Sequence, residues 1–183
     1  MIEITADIFK QKDDITGNDL VDMILDKAGS KGTGKWTSQE AMNLGISIPT
    51  IDIAVSLRSI SAYKEERVAA SELYDGSTTN ITTDKQTFIN QCGDALFVAT
   101  LLCYAQGLSM LYKASEEYKT EIPLSNVVKI WRGGCIIRST LLEKFYEAYQ
   151  SNNNLPNILL DKNIAALIQS KATSLRKVII AAV

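Results

Sequence analysis

An all-α fold built on long central helices is what this sequence predicts, and three observations carry that expectation. Glycine and proline are scarce, 13 of 183 residues, against a usual combined share of about 12%, so few turns interrupt the chain. Apolar residues recur every three to four positions over most of its length, the spacing that gathers them on one side of a helix. Alternating apolar and polar runs, which a half-buried strand needs, are weak throughout. The length suits one domain able to bury a sizeable core.

Taken in order, Leu20, Val21, Ile24, Leu25 and Ala28 keep helical spacing behind Asn18 and before Gly29. Asn suits a helix start and Gly a helix end, so a helix is expected over residues 18–28. Thr37 and Glu40 form a capping-box pattern opening a short helix that stops at Gly45. Pro49 introduces a long one running to about Leu73. The polar cluster Asp75, Gly76, Ser77, Thr78, Thr79 and Asn80 reads as a turn. Thr83 and Gln86 repeat the capping pattern before a very long helix reaching Tyr118, with Gly93 and Gly107 as expected points of close packing. Residues 95–112 carry no charge, a length near that of a membrane span. Thr100, Gln106, Gly107 and Ser109 interrupt the run, and the expectation is the core helix of a soluble bundle, apolar on nearly all sides. Shorter helices are expected over residues 125–131, 135–150 and 155–160, with Gly133-Gly134 and residues 151–154 as breaks. From Ile164 the helical period resumes and runs to the last residue without a cap or polar exit, so the natural protein is expected to continue.

Composition removes whole classes of chemistry. There is no histidine, so the chain itself holds no Ser-His-Asp triad, no Cys-His nucleophile and no His-ligated metal; no metal partner is expected. Nineteen Lys and Arg against 21 Asp and Glu leave a net charge of −2, without the cationic surplus that nucleic acid requires. Cys92, Cys103 and Cys135 form an odd set without CxxC spacing, which suits reduced, buried thiols in a cytoplasmic protein. Met1 is followed by Glu3 and Asp7 instead of a basic stretch and an apolar run, so no secretory signal is expected.

The densest functional signal is the stretch from Asp26 to Thr37, with three glycines and three lysines, of which Lys31 and Lys35 lie between two expected helices. Glycines allow a tight backbone path, Lys31 and Lys35 supply charge, Thr33 a hydroxyl, and a helix start lies close by. Phosphate is the anion this suits; a glycine-rich connection with solvated lysines is the alternative. Gly29, Gly34 and Lys35 fit a Walker A spacing until Trp36 stands where Ser or Thr would hold magnesium, and no strand precedes them. Arg58 falls between Ile51, Ala54, Val55 and Ala62 on its helix, a cation within an apolar stripe. It calls for an internal carboxylate such as Glu65 or Glu66, for a snorkelling path, or for a ligand anion. The run Lys64-Glu65-Glu66-Arg67 reads as a solvated face, and Trp131-Arg132-Gly133-Gly134-Cys135 as a packing point more than an anion nest.

The segment Ile24-Leu25-Asp26-Lys27-Ala28-Gly29-Ser30-Lys31-Gly32-Thr33-Gly34-Lys35-Trp36 resembles the signature of the decarboxylating 6-phosphogluconate dehydrogenases. The resemblance extends in order through Leu57-Arg58, Tyr63 to Val68, Cys103 to Gly107 and Trp131 to Ser139. It implies the all-helical bundle of that family's C-terminal domain, spanning residues 1–183 and incomplete, without the family's N-terminal Rossmann domain or its C-terminal tail. It further implies a cytoplasmic homodimer acting on 6-phosphogluconate with NADP in the pentose phosphate pathway, releasing carbon dioxide and ribulose 5-phosphate. By the same resemblance Lys31, Thr33 and Arg58 hold the substrate phosphate, while NADP and the proton-transferring Lys and Glu belong to the missing domain. The segment alone is then expected to be inactive and to bind neither nucleic acid nor membrane. The competing reading is a non-catalytic helical assembly module that retains the scaffold without its chemistry.

Overall fold

The computed structural model describes residues 2–74, 76 and 81–183. The turn expected between Asp75 and Asn80 therefore lies, apart from Gly76, outside the described residues. Among those residues the chain forms eight α-helices, two 3-10 turns and no strand beyond one isolated bridge between Lys12 and Asp19, an all-α architecture. It divides into two units, Met1–Ser30 with Ser56–Asp75, and Lys31–Val55 with Gly76–Val183.

The second unit is organised by α5 (Lys85–Tyr118), 34 residues long. Gln91, Ala95, Val98, Leu101, Ala105 and Leu108 form its buried stripe, three or four residues apart as one helix face requires. Against it pack α8 (Lys162–Ala182) and α6 (Leu124–Trp131), while α7 (Leu141–Ser151) packs on α6 and meets α5 through Phe145. The core is densest where Leu101, Leu142, Phe145 and Ile158 are fully enclosed, with the rings of Phe145 and Tyr104 edge to face at 5.5 Å. Burial pushes the Tyr149 phenol well above its ordinary range, and its hydroxyl has no partner among the described residues. Away from the stripe most of the uncharged run is half-buried and Leu96 is exposed, so this helix is covered less evenly than its sequence suggests. By length and composition it is long and apolar enough to cross a membrane. Gly93 and Gly107 differ from expectation: a methyl group added at either would meet nothing within 4 Å, so neither marks a close approach. The three cysteines are half-buried instead of enclosed, and burial pushes the Cys103 thiol up, away from the reactive thiolate.

Several helix ends are set by other residues than the sequence patterns indicate. The cap of α5 is Asp84, whose carboxylate accepts the Thr87 N–H at 3.0 Å. In α8 the Asp161 carboxylate accepts from Asn163 and Ile164. α7 starts at Leu141, not at residue 135, because Gly134 takes φ +84° and the Tyr104 hydroxyl donates to the Ile137 carbonyl, leaving residues 135–140 as a turn. Across the unit, the Lys171 ammonium pairs with the Asp94 carboxylate, and the Ser174 hydroxyl donates to the same carboxylate at 3.1 Å. The lysine also lies 5.4 Å from the Phe97 ring centre, so α5 and α8 are joined by charge as well as by apolar burial.

The first unit contains α1 (Ile2–Ile8), a 3-10 turn at Leu20–Met23, the end of α3 (Pro49–Ser61) and α4 (Lys64–Leu73). None of its described residues is buried. This explains why residues 18–28 do not form the expected helix. A segment that short is marginal without burial of its apolar side, and Ile24 and Leu25 are more than half exposed. The single long helix expected from Pro49 to Leu73 is two helices. The chain tightens where Ala62 and Tyr63 donate to the carbonyls of Ser59 and Ile60, and Tyr63 leaves helical geometry before α4 starts.

Candidate functional site

The glycine-rich stretch opens α2 (Thr33–Asn43), five residues earlier than a capping box with Thr37 as the cap predicts. The Thr37 hydroxyl instead donates back to the Thr33 carbonyl at 2.9 Å, a bond made from inside a helix. Gly32 stands at the cap with φ +96°, a left-handed conformation that costs glycine little. The Trp36 indole lies over it, 3.4 Å from where a Cβ would be. Gly34 has a different reason to be glycine: a Cβ there would come within 2.8 Å of the Val55 methyl. The start of α2 thus lies directly on α3, and the Ser38 hydroxyl donating to Asp52 at 2.7 Å fastens the two helices one turn on.

That start has the makings of an anion site. Trp36 is the first residue whose N–H bonds back within the helix, to Gly32 at 2.9 Å, so the N–H groups of Thr33, Gly34 and Lys35 have no intrahelical partner. Lys31, Thr33 and Lys35 are all exposed around them. The positive end of the helix dipole adds to the two ammonium charges. α3 in turn begins with a cap from a distant helix: the Gln106 side-chain carbonyl accepts the N–H groups of Thr50 and Ile51 at 3.1 and 3.3 Å, and its amide donates to Thr50 Oγ1 at 2.9 Å. Gln106, one of the residues that interrupt the apolar run of α5, is therefore what holds the start of α3.

Arg58 corrects its sequence reading. It is exposed, no described residue of α3 is buried, and neither Glu65 nor Glu66 pairs with it among the described residues. Its guanidinium donates to the Gly29 carbonyl. A charge in water needs no internal carboxylate, so the desolvation argument for such a partner does not apply. Lys31 and Thr33 belong to the second unit and Arg58 to the first; the surroundings of each are those of its own unit.

The charged run at the start of α4 is also more than a solvated face. Lys64 reaches the Asp26 carboxylate at 2.6 Å, and Arg67 reaches it at 3.1 Å. Hydrogen bonds from Lys64 and then Arg67 hold that carboxyl below its usual range. Arg67 also donates to the backbone carbonyls of Asp26 and Ser61 at 3.0 and 3.3 Å, and the Ser61 hydroxyl accepts the Ala28 N–H at 3.0 Å. Residues 26–29 are thereby fastened side by side with residues 58–67. Sequence spacing gives no sign of these partners, which lie 29 to 41 residues apart. At the other glycine pair, Trp131 lies 6.4 Å from the Tyr104 ring and Arg132 pairs with Glu143 beside the Tyr146 ring, the packing role expected. No group of three His, Cys, Asp or Glu side chains among the described residues is placed to hold a metal ion.

Comparison with known proteins agrees with this architecture. The model of the 6-phosphogluconate dehydrogenase C-terminal domain matches residues 1–183. The chain is 48% identical over 184 residues to the NADP(+)-dependent, decarboxylating 6-phosphogluconate dehydrogenase of Bacillus subtilis, covering 100% of this chain and 39% of that protein. It is 45% identical over 181 residues to the decarboxylating enzyme of Synechococcus elongatus, covering 98% and 38%. Among solved structures it superposes on Plasmodium falciparum 6-phosphogluconate dehydrogenase with a TM-score of 0.92 at 42% identity, over 99% of this chain and 39% of that one. That protein was solved in its apo form, with its cofactor NADP+ and with its substrate 6-phosphogluconate. The chain thus spans about 39% of the length of these relatives, and over its whole extent it belongs to the 6-phosphogluconate dehydrogenase C-terminal domain family.

Proposed function

We propose that this chain supplies the substrate-phosphate part of an NADP-dependent, decarboxylating 6-phosphogluconate dehydrogenase, with Lys31, Thr33 and Arg58 as the phosphate ligands. The observation that carries the reading is the start of α2, where helix N–H groups without an intrahelical partner lie in a stretch that also exposes Lys31, Thr33 and Lys35. In this role Lys31 gives charge and Thr33 a hydroxyl donor. Arg58 gives a planar fork that matches two phosphate oxygens. Because the phosphate does not react, these contacts orient the sugar acid for chemistry carried out elsewhere in the enzyme.

NADP does not fit the residues described here. They contain no strand leading through a glycine turn into a helix, the feature a dinucleotide site is built on. Hydride and proton transfer are accordingly assigned to the part of the enzyme outside this chain. The cytoplasmic setting, the pentose phosphate pathway and a homodimeric assembly belong to the same proposal. The exposed flank of α5, with Leu96 and Ile89 each 50% accessible, supports the dimer.

The test is titration of the chain with 6-phosphogluconate, following the backbone amides of Thr33 and Gly34 and the side chain of Arg58 by NMR. Arg58→Ala removes a charged hydrogen bond worth about 1.5–3 kcal/mol, so affinity falls roughly ten- to a hundredfold, with Arg58→Lys in between. Unchanged affinity in a folded Arg58→Ala chain would return Arg58 to the sole task of holding Gly29. No binding by the wild-type chain would favour the assembly-module reading.

A further inference from the structure

We infer that Asp26, Ser61 and Arg67 are positioning residues for the phosphate site, strapping the approach to the glycine loop onto the segment that carries Arg58; the inference rests on the phosphate reading above. Four side chains spaced three residues apart, Arg58, Ser61, Lys64 and Arg67, reach across to residues 26–29. Arg67 and Lys64 meet Asp26, Ser61 meets Ala28 and Arg58 meets Gly29. The pairing runs antiparallel, as in a ladder between strands, but side chains make the rungs on one side.

Three features set this strap apart from ordinary surface pairing. It joins segments 29 to 41 residues apart in a unit whose described residues include none that is buried, so no apolar core accounts for the path of residues 26–29. The Arg67 fork spends both terminal nitrogens on the strap while its Nε is buried without a partner among the described residues. A buried unpaired donor is costly enough to call for a reason. Finally, the strap ends at Gly29, two residues before Lys31, and includes Arg58 itself. One Arg58 nitrogen donates to Gly29, and the remaining N–H groups of its fork can be offered to an anion. A fixed Gly29 carbonyl therefore orients the guanidinium before any ligand arrives, which lowers the ordering cost of binding.

Asp26→Asn separates positioning from simple charge. Removing a negative charge near an anion site strengthens binding if only the field matters. If the strap positions Arg58, the same change weakens it, because Lys64 and Arg67 lose the anion that holds them. Titrating the chain with 6-phosphogluconate, and separately with inorganic phosphate, is expected to show about fivefold weaker binding of both in Asp26→Asn. Arg67→Lys, which keeps the charge but loses the fork, should show a similar loss. In the double variant the two losses should not multiply. Unchanged or tighter binding in Asp26→Asn, with a wild-type-like amide spectrum, would overturn the inference while leaving the phosphate reading in place. Should Asp26→Asn fail to fold, Arg67→Lys decides, with wild-type affinity overturning the inference. Absence of binding by the wild-type chain would remove the phosphate reading and this one with it.

Discussion

Gly34→Ala is the most direct test of why the motif has its third glycine, at position 34. The new methyl group would come within 2.8 Å of Val55 Cγ2, with Cγ1 at 3.6 Å and Cβ at 3.8 Å. Carbon atoms pack at about 3.5–4.0 Å, so something must move by nearly an ångström. Val55 cannot yield easily, since a β-branched side chain in a helix has one strongly preferred rotamer. The strain falls on the contact between α2 and α3. Overpacking of this kind costs about 1–3 kcal/mol. Replacing glycine in a helix returns up to about 1 kcal/mol, less in a first turn, so the net loss is about 0–2 kcal/mol. Val55→Ala removes the obstructing methyls, and in that background Gly34→Ala should become neutral or stabilising. Urea unfolding of wild type, both single variants and the double variant gives the coupling directly, expected at about 1–2 kcal/mol. Additive effects would show that the 2.8 Å approach is not what excludes a side chain here.

The other predictions concern the second unit. Phe145→Ala removes a fully enclosed ring that meets Tyr104 edge to face and should cost about 3–5 kcal/mol in urea unfolding. Asp94 is held below its usual carboxylate range by hydrogen bonds from Lys171 and then Ser174. Its contribution is therefore complete above the unfolded value near 3.8 and is lost as pH falls through the lower folded value. Melting temperatures measured between pH 5 and 2 should show an acid-side fall that is shallower in Lys171→Met. Sedimentation at micromolar concentration should give a dimer if the exposed flank of α5 is covered by a second copy, and a monomer throughout would count against the proposed assembly.

What the sequence by itself determined is whatever local chemistry decides. The uncharged run of residues 95–112 marked the centre of α5, and its end at Tyr118 was legible. The apolar period from Ile164 marked α8. Even locally, adjacent capping residues were confused: Thr83 stood in for Asp84, because both side chains can accept an N–H at a helix start. Only the tertiary structure decided the rest, because the partners lie far apart in the chain. Gln106 caps α3 from 56 residues away, a contact that no window of sequence contains. Residues 18–28 have the pattern of an amphipathic helix, yet with no apolar surface to cover them, Asp26, Ala28 and Gly29 pair with Arg67, Ser61 and Arg58 instead. Helical spacing shows which side of a helix can be buried; whether another element covers that side depends on contacts between distant parts of the chain.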